Sequence, residues 1–241
     1  TSGYGLYIYN GEYVYRGSNV NNYVKFSDSD TMFRAVKVTK DNEVVLIQDE
    51  ASDDDYEWDS RYNQVYEDTS GINDYKNSKI SETLSYYYKS KKEQDDSTYF
   101  GEETEFLTKE DRKKTVKFKN CVGRRSKNDT SKDGSAECSI TYESEIGLLP
   151  VYDFLNASID PNCTTTTSPS CQNYNYIAAG SSTWLANGTS EESNEVYILY
   201  LGYVASSEAD NSNYIRPIIH LSDKVMLEKG KGTKNNPYII R

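Results

Sequence analysis

The residues able to do chemistry are few in kind. Cysteine occurs at Cys121, Cys138, Cys163 and Cys171, with no Cys-x-x-Cys pair, and histidine occurs once, at His220. That set lacks the clustered thiolates and imidazoles of a zinc site. Of the pairings open to the four cysteines, the one closing the shortest loops predicts Cys121–Cys138 and Cys163–Cys171. The bracketed segments, 127–134 and 164–170, are rich in Ser, Thr, Asn, Asp and Pro and poor in apolar anchors, so each needs tying down. Two local disulfides imply an oxidising, extracytoplasmic setting.

Histidine catalysis would have to converge on His220, in Ile218-Ile-His-Leu221, where strand alternation puts it on the face opposite Ile219 and Leu221. No Gly-x-Ser-x-Gly elbow supplies a serine. Gly230-Lys-Gly232 runs into Thr-Lys-Asn rather than a helix, so the phosphate-binding context is missing as well. His220 is therefore expected to be structural or at the surface. Paired carboxylates for glycoside hydrolysis could be drawn from any chain with 38 acids, and this one singles out no pair.

Charge is distributed unevenly. Residues Asp49 to Asp59 hold seven acids and no base, which raises calcium as the one cofactor to consider, at Asp53, Asp54, Asp55 and Asp59. The alternating acids, central glycine and terminal glutamate of an EF-hand are absent, and a solvated acidic loop is the simpler expectation. Between Lys109 and Asp133 ten bases face four acids, with a basic patch at Lys113, Lys114, Lys117, Lys119, Arg124 and Arg125. Such a patch could steer an anionic glycan or lipid, or dock the acidic face of a neighbouring copy. Nucleic acid is not an expected partner: the net charge is -11, and Phe118 alone interleaves the bases, so no stacking platform forms.

The elements that must position these groups are mostly strands. Asn10-Gly11, between Gly5-Leu-Tyr-Ile-Tyr and Glu-Tyr-Val-Tyr-Arg16, predicts a hairpin with a type I′ turn. Strands follow at 23–26, 32–38 and 43–48, making residues 1–50 an antiparallel meander. Ile80, Leu84, Tyr87 and Tyr88 recur at helical spacing and predict a helix over 78–89. Residues 89–104 read as a charged, exposed insertion, and Thr108-Lys-Glu-Asp111 opens a short helix. Pro150 starts another helix in Gly147-Leu-Leu-Pro-Val-Tyr-Asp-Phe-Leu-Asn-Ala157. Further strands are expected at 176–178, 183–185, 195–201, 214–221 and from Tyr238, with Pro217 pushing its strand to an edge or a bulge. The expectation is one α+β domain over 1–241, a β-rich antiparallel core with a few short helices. Its parts are the meander (1–50), a helix with acidic and charged insertion (51–105), and a β-rich remainder holding both disulfides (106–241). No run of apolar residues is long enough to span a membrane, so membrane contact would need a segment absent from this chain.

Several blocks carry a resemblance: Gly5-Leu-Tyr-Ile-Tyr-Asn-Gly-Glu-Tyr-Val-Tyr-Arg-Gly17, Asn21-Asn-Tyr-Val-Lys-Phe26, Phe33-Arg-Ala-Val36, Gly147 to Ala157, Trp184-Leu185, Tyr214-Ile-Arg-Pro-Ile-Ile-His-Leu221 and Gly232-Thr-Lys-Asn-Asn-Pro-Tyr-Ile-Ile240. Over nearly its whole length the chain resembles exported globular domains of surface and pilin-like proteins from Gram-positive and related gut bacteria. The closing part, with Trp184 and Arg216-Pro217, is similar to C-type-lectin-like domains related to formylglycine-generating enzymes. Trp184-Leu185-Ala186 lacks the arginine and serine usual after that tryptophan and leucine, and no equivalent of the enzymes' copper-binding cysteine pair occurs. The resemblance thus implies a binding scaffold on the bacterial cell surface, with Trp184 packing the core and Arg216 satisfying buried carbonyls. The expected work is adhesion to a host glycan or matrix protein, without catalysis. The alternative is a pilin-like filament subunit meeting neighbouring subunits, and a polysaccharide hydrolase ranks last.

Overall fold

The structure, a computed structural model, describes residues 5–27, 29–89, 106–178 and 180–241. Most of the expected charged insertion lies outside them. Strands β1 (Gly5–Tyr9) and β2 (Glu12–Arg16) form the expected hairpin, with Asn10 and Gly11 at φ +50° and +80° as a type I′ turn demands. Strands β3 (Tyr23–Phe26), β4 (Met32–Val38) and β5 (Val44–Gln48) follow as expected. They depart from a simple meander, because β2 and β3 share one edge of β4: β3 pairs its first half and β2 its second.

Strand β6 (Asp55–Glu57) leads to helix α1 (Lys79–Tyr88), capped where Ser78 accepts from the Ser81 amide. Helix α2 (Lys109–Arg112) is capped in the same way by Thr108. Then come β7 (Thr115–Val116), β8 (Phe118–Cys121), β9 (Thr141–Ser144), β10 (Gly147–Leu148) and α3 (Val151–Ala157). The chain closes with β11 (Thr183–Gly188), β12 (Glu195–Tyr200), β13 (Tyr203–Glu208), β14 (Ser212–Tyr214), β15 (Pro217–Leu221), β16 (Leu227–Lys229) and β17 (Tyr238–Ile240).

The result is an α+β fold. Its main sheet runs β10-β15-β5-β4-β3-β17-β16, with β2, β1 and β7 attached at the side, and a second sheet runs β13-β12-β11-β14-β6. Pairing is mostly antiparallel, but β17 lies parallel to β3 and β11 parallel to β14. Apolar residues fill both faces of the main sheet. Phe33, Leu46 and Ile219 point into one layer with Trp58 and Trp184, while Val36, Val45 and Ile218 point into another with Phe154 and Leu155 of α3.

Two expectations are corrected. Residues 176–178 form no strand; the turn there is held by Asn175, whose Nδ2 donates to the Phe154 and Cys171 carbonyls. Strand β15 is central rather than an edge, between β10 and β5. Pro217 is tolerated because it is the strand's first residue, where no ladder amide is needed.

Candidate functional site

The sequence places an irregularity where β4 passes β5. Ala35 faces Leu46 and Lys37 faces Val45, so one extra residue interrupts the ladder. Such a bulge re-aims side chains. Val36 already points toward α3, and alternation would send Lys37 to the opposite layer; the bulge keeps Lys37 on the α3 side. There its Nζ accompanies Tyr152 Oη at 2.9 Å, Asp153 Oδ1 at 3.0 Å and Glu12 Oε2 at 3.2 Å. Lys37 and Asp153 are both almost wholly buried, and Glu12 reaches solvent. Glu12 sits two residues before Val14, the partner of Lys37 in β2, and therefore on the same face.

This cluster floors an open cavity of about 540 Å³. One wall is β8 with the Cys121–Cys138 disulfide; another is the first turn of α3; the rim carries Lys40, Asp41, Lys117, Lys119, Asp133 and Glu143. Gly134 allows the 132–138 loop to close over the site. It has φ +79°, and a Cβ there would meet the Tyr152 ring at 3.0 Å.

Burial dominates the electrostatics. It raises the Asp153 carboxyl to about 6 against the pull of Lys37. Burial alone would lower the Lys37 ammonium, but Asp153, Tyr152 and Glu12 together hold it above its ordinary value. His220 lies in the same wall, stacked on Phe118 at 3.8 Å between ring centroids, with Nδ1 2.8 Å from Glu43 Oε2. Burial and the Lys37 charge push it down to about 3 despite that carboxylate, so it is neutral at pH 7 and Nδ1–H donates to Glu43. It faces away from Ile219 and Leu221, as strand alternation requires.

The residues singled out by sequence fall in several places. Both disulfides form as expected, Cys121–Cys138 and Cys163–Cys171. The acidic run separates: Asp53, Asp54 and Asp55 are exposed, whereas Asp59 is buried, accepting from Arg61 at 2.7 Å and from the Ile72 amide. Among the described residues no group of three acids, cysteines or histidine is placed to hold a metal ion. The basic run does not act as one patch either. Lys113 pairs with Glu110, Lys114 with the buried Asp111, and Lys117 with Glu145, while Lys119 and Arg124 are exposed. Arg125 is wholly buried, donating to Glu137 at 2.7 Å and to the carbonyls of Asp129 and Ser131. Its place inside the protein follows from hydrogen-bonding demand: a guanidinium has enough donors to tie a loop to itself.

Trp184 packs edge-to-face on Trp58 and donates to the Tyr56 carbonyl. Arg216 donates to the carbonyls of Gln48 and Ile177. Both stand in the framework, away from the cavity. Sequence reasoning misses Glu12, Lys37, Tyr152 and Asp153. The available signal was Lys37 itself, a charge inside Phe33-Arg-Ala-Val-Lys-Val38, a strand apolar on both faces. Comparison of the chain with protein-family models, curated proteins and solved structures finds no match.

Proposed function

We propose that this chain is a non-catalytic binding domain of the bacterial cell surface, and that it holds a host glycan in the cavity above the main sheet. The observation that carries this reading is the lining. Lysine ammonium donors and carboxylate acceptors share an open rim, and Tyr9 supplies flat amphipathic surface. A sugar presents hydroxyls that donate and accept on one side and C–H faces on the other, which such a lining matches. The wall is fixed by a disulfide, so little ordering remains to be done on binding. Two disulfides in one chain support the extracellular setting.

The test is a screen of the purified domain on immobilised glycans and matrix proteins, with and without calcium. Saturable binding to a glycan, lost on Lys119→Glu at the rim, is the expected result. Binding only to a matrix protein, or glycan binding indifferent to rim charge, would sink the cavity assignment.

One observation favours a second reading, the filament subunit. Strand β1 pairs only with β2 among the described residues, and it exposes Leu6 and Ile8 beside Tyr13. An apolar edge strand of this kind is suited to pairing with another copy. Sedimentation that rises in apparent mass with concentration, and is abolished by Ile8→Lys, would establish that reading in place of the first.

A further inference from the structure

The two disulfides differ in what can reach them. Cys163 and Cys171 are core residues, with 1% and 0% of their surface exposed, whereas Cys138 is exposed and Cys121 half-buried. We propose that Cys121–Cys138 is a thiol-exchange site: a small thiol carrying carboxylate and ammonium groups attacks Cys138 and is held at the cavity wall as a mixed disulfide. The proposal stands whether or not the cavity holds a glycan.

Three observations carry it. The first is access. Exchange needs an open approach to one sulfur, and exposed disulfides are the labile members of a protein's set. Cys138 lies in the short turn Glu137–Ser139, and Ser139 and Ile140 after it are exposed as well. Gly134 keeps the space beside the sulfur clear, since a Cβ there would stand 3.3 Å from Cys138 Sγ. The second is the lining. Both cysteines line the open cavity, together with Lys119, Asp133 and Glu143, so charges of both signs stand near the reacting bond. That suits a thiol which itself carries both signs. Cys163 and Cys171 instead lie among the apolar residues packed on α3.

The third is that the surroundings are tied independently of the bridge. Arg125 holds Glu137, the Gly123 amide donates to the Glu137 carbonyl at 2.6 Å, and the Val122 amide donates to the Ile140 carbonyl at 2.9 Å. These bonds flank both cysteines and keep their backbones adjacent when the sulfurs part. Reclosure is then intramolecular, which makes the exchange reversible in the folded chain.

The exchange balances in atoms and electrons. The thiolate of the small molecule bonds to Cys138 Sγ, the Cys121–Cys138 bond breaks, and Cys121 Sγ leaves with the electron pair and takes a proton from water. Return attack by the Cys121 thiolate on Cys138 expels the small thiol and restores the bridge. Attack by a second small thiol on the adduct gives instead the small molecule's own disulfide and two protein thiols, two electrons having passed to the protein.

The experiment exposes the purified full chain to graded ratios of reduced to oxidised glutathione, quenches by alkylation, and maps the peptides without reduction. Cys121–Cys138 should open at least about tenfold faster than Cys163–Cys171, giving a glutathionyl group on Cys138 and an alkylated Cys121 in a chain that keeps its circular dichroism. Cys121→Ser removes the returning thiol and should accumulate the adduct on Cys138. Should that variant fail to fold, the order of opening in the wild type decides alone. The proposal is overturned if both bridges open together, if Cys163–Cys171 opens first, if the adduct maps to Cys121, or if opening occurs only with loss of the folded signal. Equal adduct formation with mercaptoethanol, an uncharged thiol, overturns the assigned ligand class.

Discussion

Of the buried cations, Arg125 and Lys37 have been buried differently. Arg125 sits in a closed site. Its fork donates to Glu137 Oε1 and to two loop carbonyls, and the side chains of both ions are wholly out of solvent. Lys37 sits under an open cavity, paired with the buried Asp153 and with a second, partly exposed acid leading outward. A guanidinium cannot give up its proton and is spent on geometry; an amine can, and is therefore the cation to keep where chemistry is possible. The difference separates a tie that holds the 125–137 loop in shape from a charge cluster that lies under an open cavity.

The largest effect is expected at the closed site. Arg125→Met leaves the Glu137 carboxylate buried without its partner and should cost about 3 to 5 kcal/mol in denaturant unfolding. Replacing both partners, as Arg125→Met with Glu137→Leu, should recover most of that loss, since no buried charge is then stranded. If the double variant is as unstable as the single one, the ion pair is not what holds the loop.

Next come the disulfides, which flank the two regions. The Cys121–Cys138 bridge spans 17 residues and Cys163–Cys171 spans 8. Loop-closure entropy grows slowly with length, so removing the first by double alanine substitution should cost about 3 kcal/mol and the second somewhat less. Only the first forms a cavity wall. Loss of glycan binding on removing Cys121–Cys138, but not Cys163–Cys171, would confirm that the wall is part of the site; equal losses would assign both bridges to the framework.

Acid titration gives a smaller signal with an informative sign. His220 has its folded pKa depressed to about 3 from 6.5, so the unfolded chain takes up a proton that the folded one refuses. Its stabilisation is complete above pH 6.5 and is lost as pH falls toward 3, at up to about 1.4 kcal/mol per pH unit. Asp153 works in reverse. Raised to about 6 from 3.8, it binds its proton first in the folded state, so stability rises as pH falls through that window. Glu43, also raised by burial, acts in the same direction. Unfolding free energies measured from pH 7 to 4 should therefore fall less steeply in His220→Gln than in the wild type. A His220→Gln chain as steep as the wild type would mean that His220 is not the group that loses stability in acid.

How far the sequence reaches is itself uneven between the two regions. The hairpin at Asn10-Gly11, strands β3 to β5, α1 and both disulfides are legible because each rests on a local signal: a turn dipeptide, an apolar period, or a short polar loop between cysteines. Strands β8 and β9 are not. Phe118-Lys-Asn-Cys and Thr141-Tyr-Glu-Ser are short and polar, and a disulfide supplies the hold that an apolar face would otherwise advertise. Strand β13, with Ala-Ser-Ser-Glu at its end, is hidden for a similar reason, since its neighbour β12 carries the apolar residues. At the cavity floor Lys37 leaves a signal, a charge inside an apolar strand, but its partner does not. Asp153 lies in α3, where all seven residues are buried, so no polar face marks it. Its meeting with Lys37 depends on a bulge that only the pairing of β4 with β5 displays.

The smallest effect on stability is expected where the effect on function should be largest, at the rim. Lys119 and Glu143 face each other across β8 and β9, and both are exposed. An exposed pair of this kind contributes little to folding, because water already solvates both charges and holding two long side chains together costs entropy. Exchanging them, as Lys119→Glu with Glu143→Lys, preserves the pair and the net charge and should leave the melting midpoint unmoved. A ligand in the cavity would nevertheless meet a donor where it had an acceptor and the reverse. The swap should therefore abolish saturable glycan binding in a chain that unfolds as the wild type does. Unchanged binding would mean that the ligand does not approach over β8 and β9, and the search would move to the exposed edge of β1, where Leu6 and Ile8 offer an apolar surface instead.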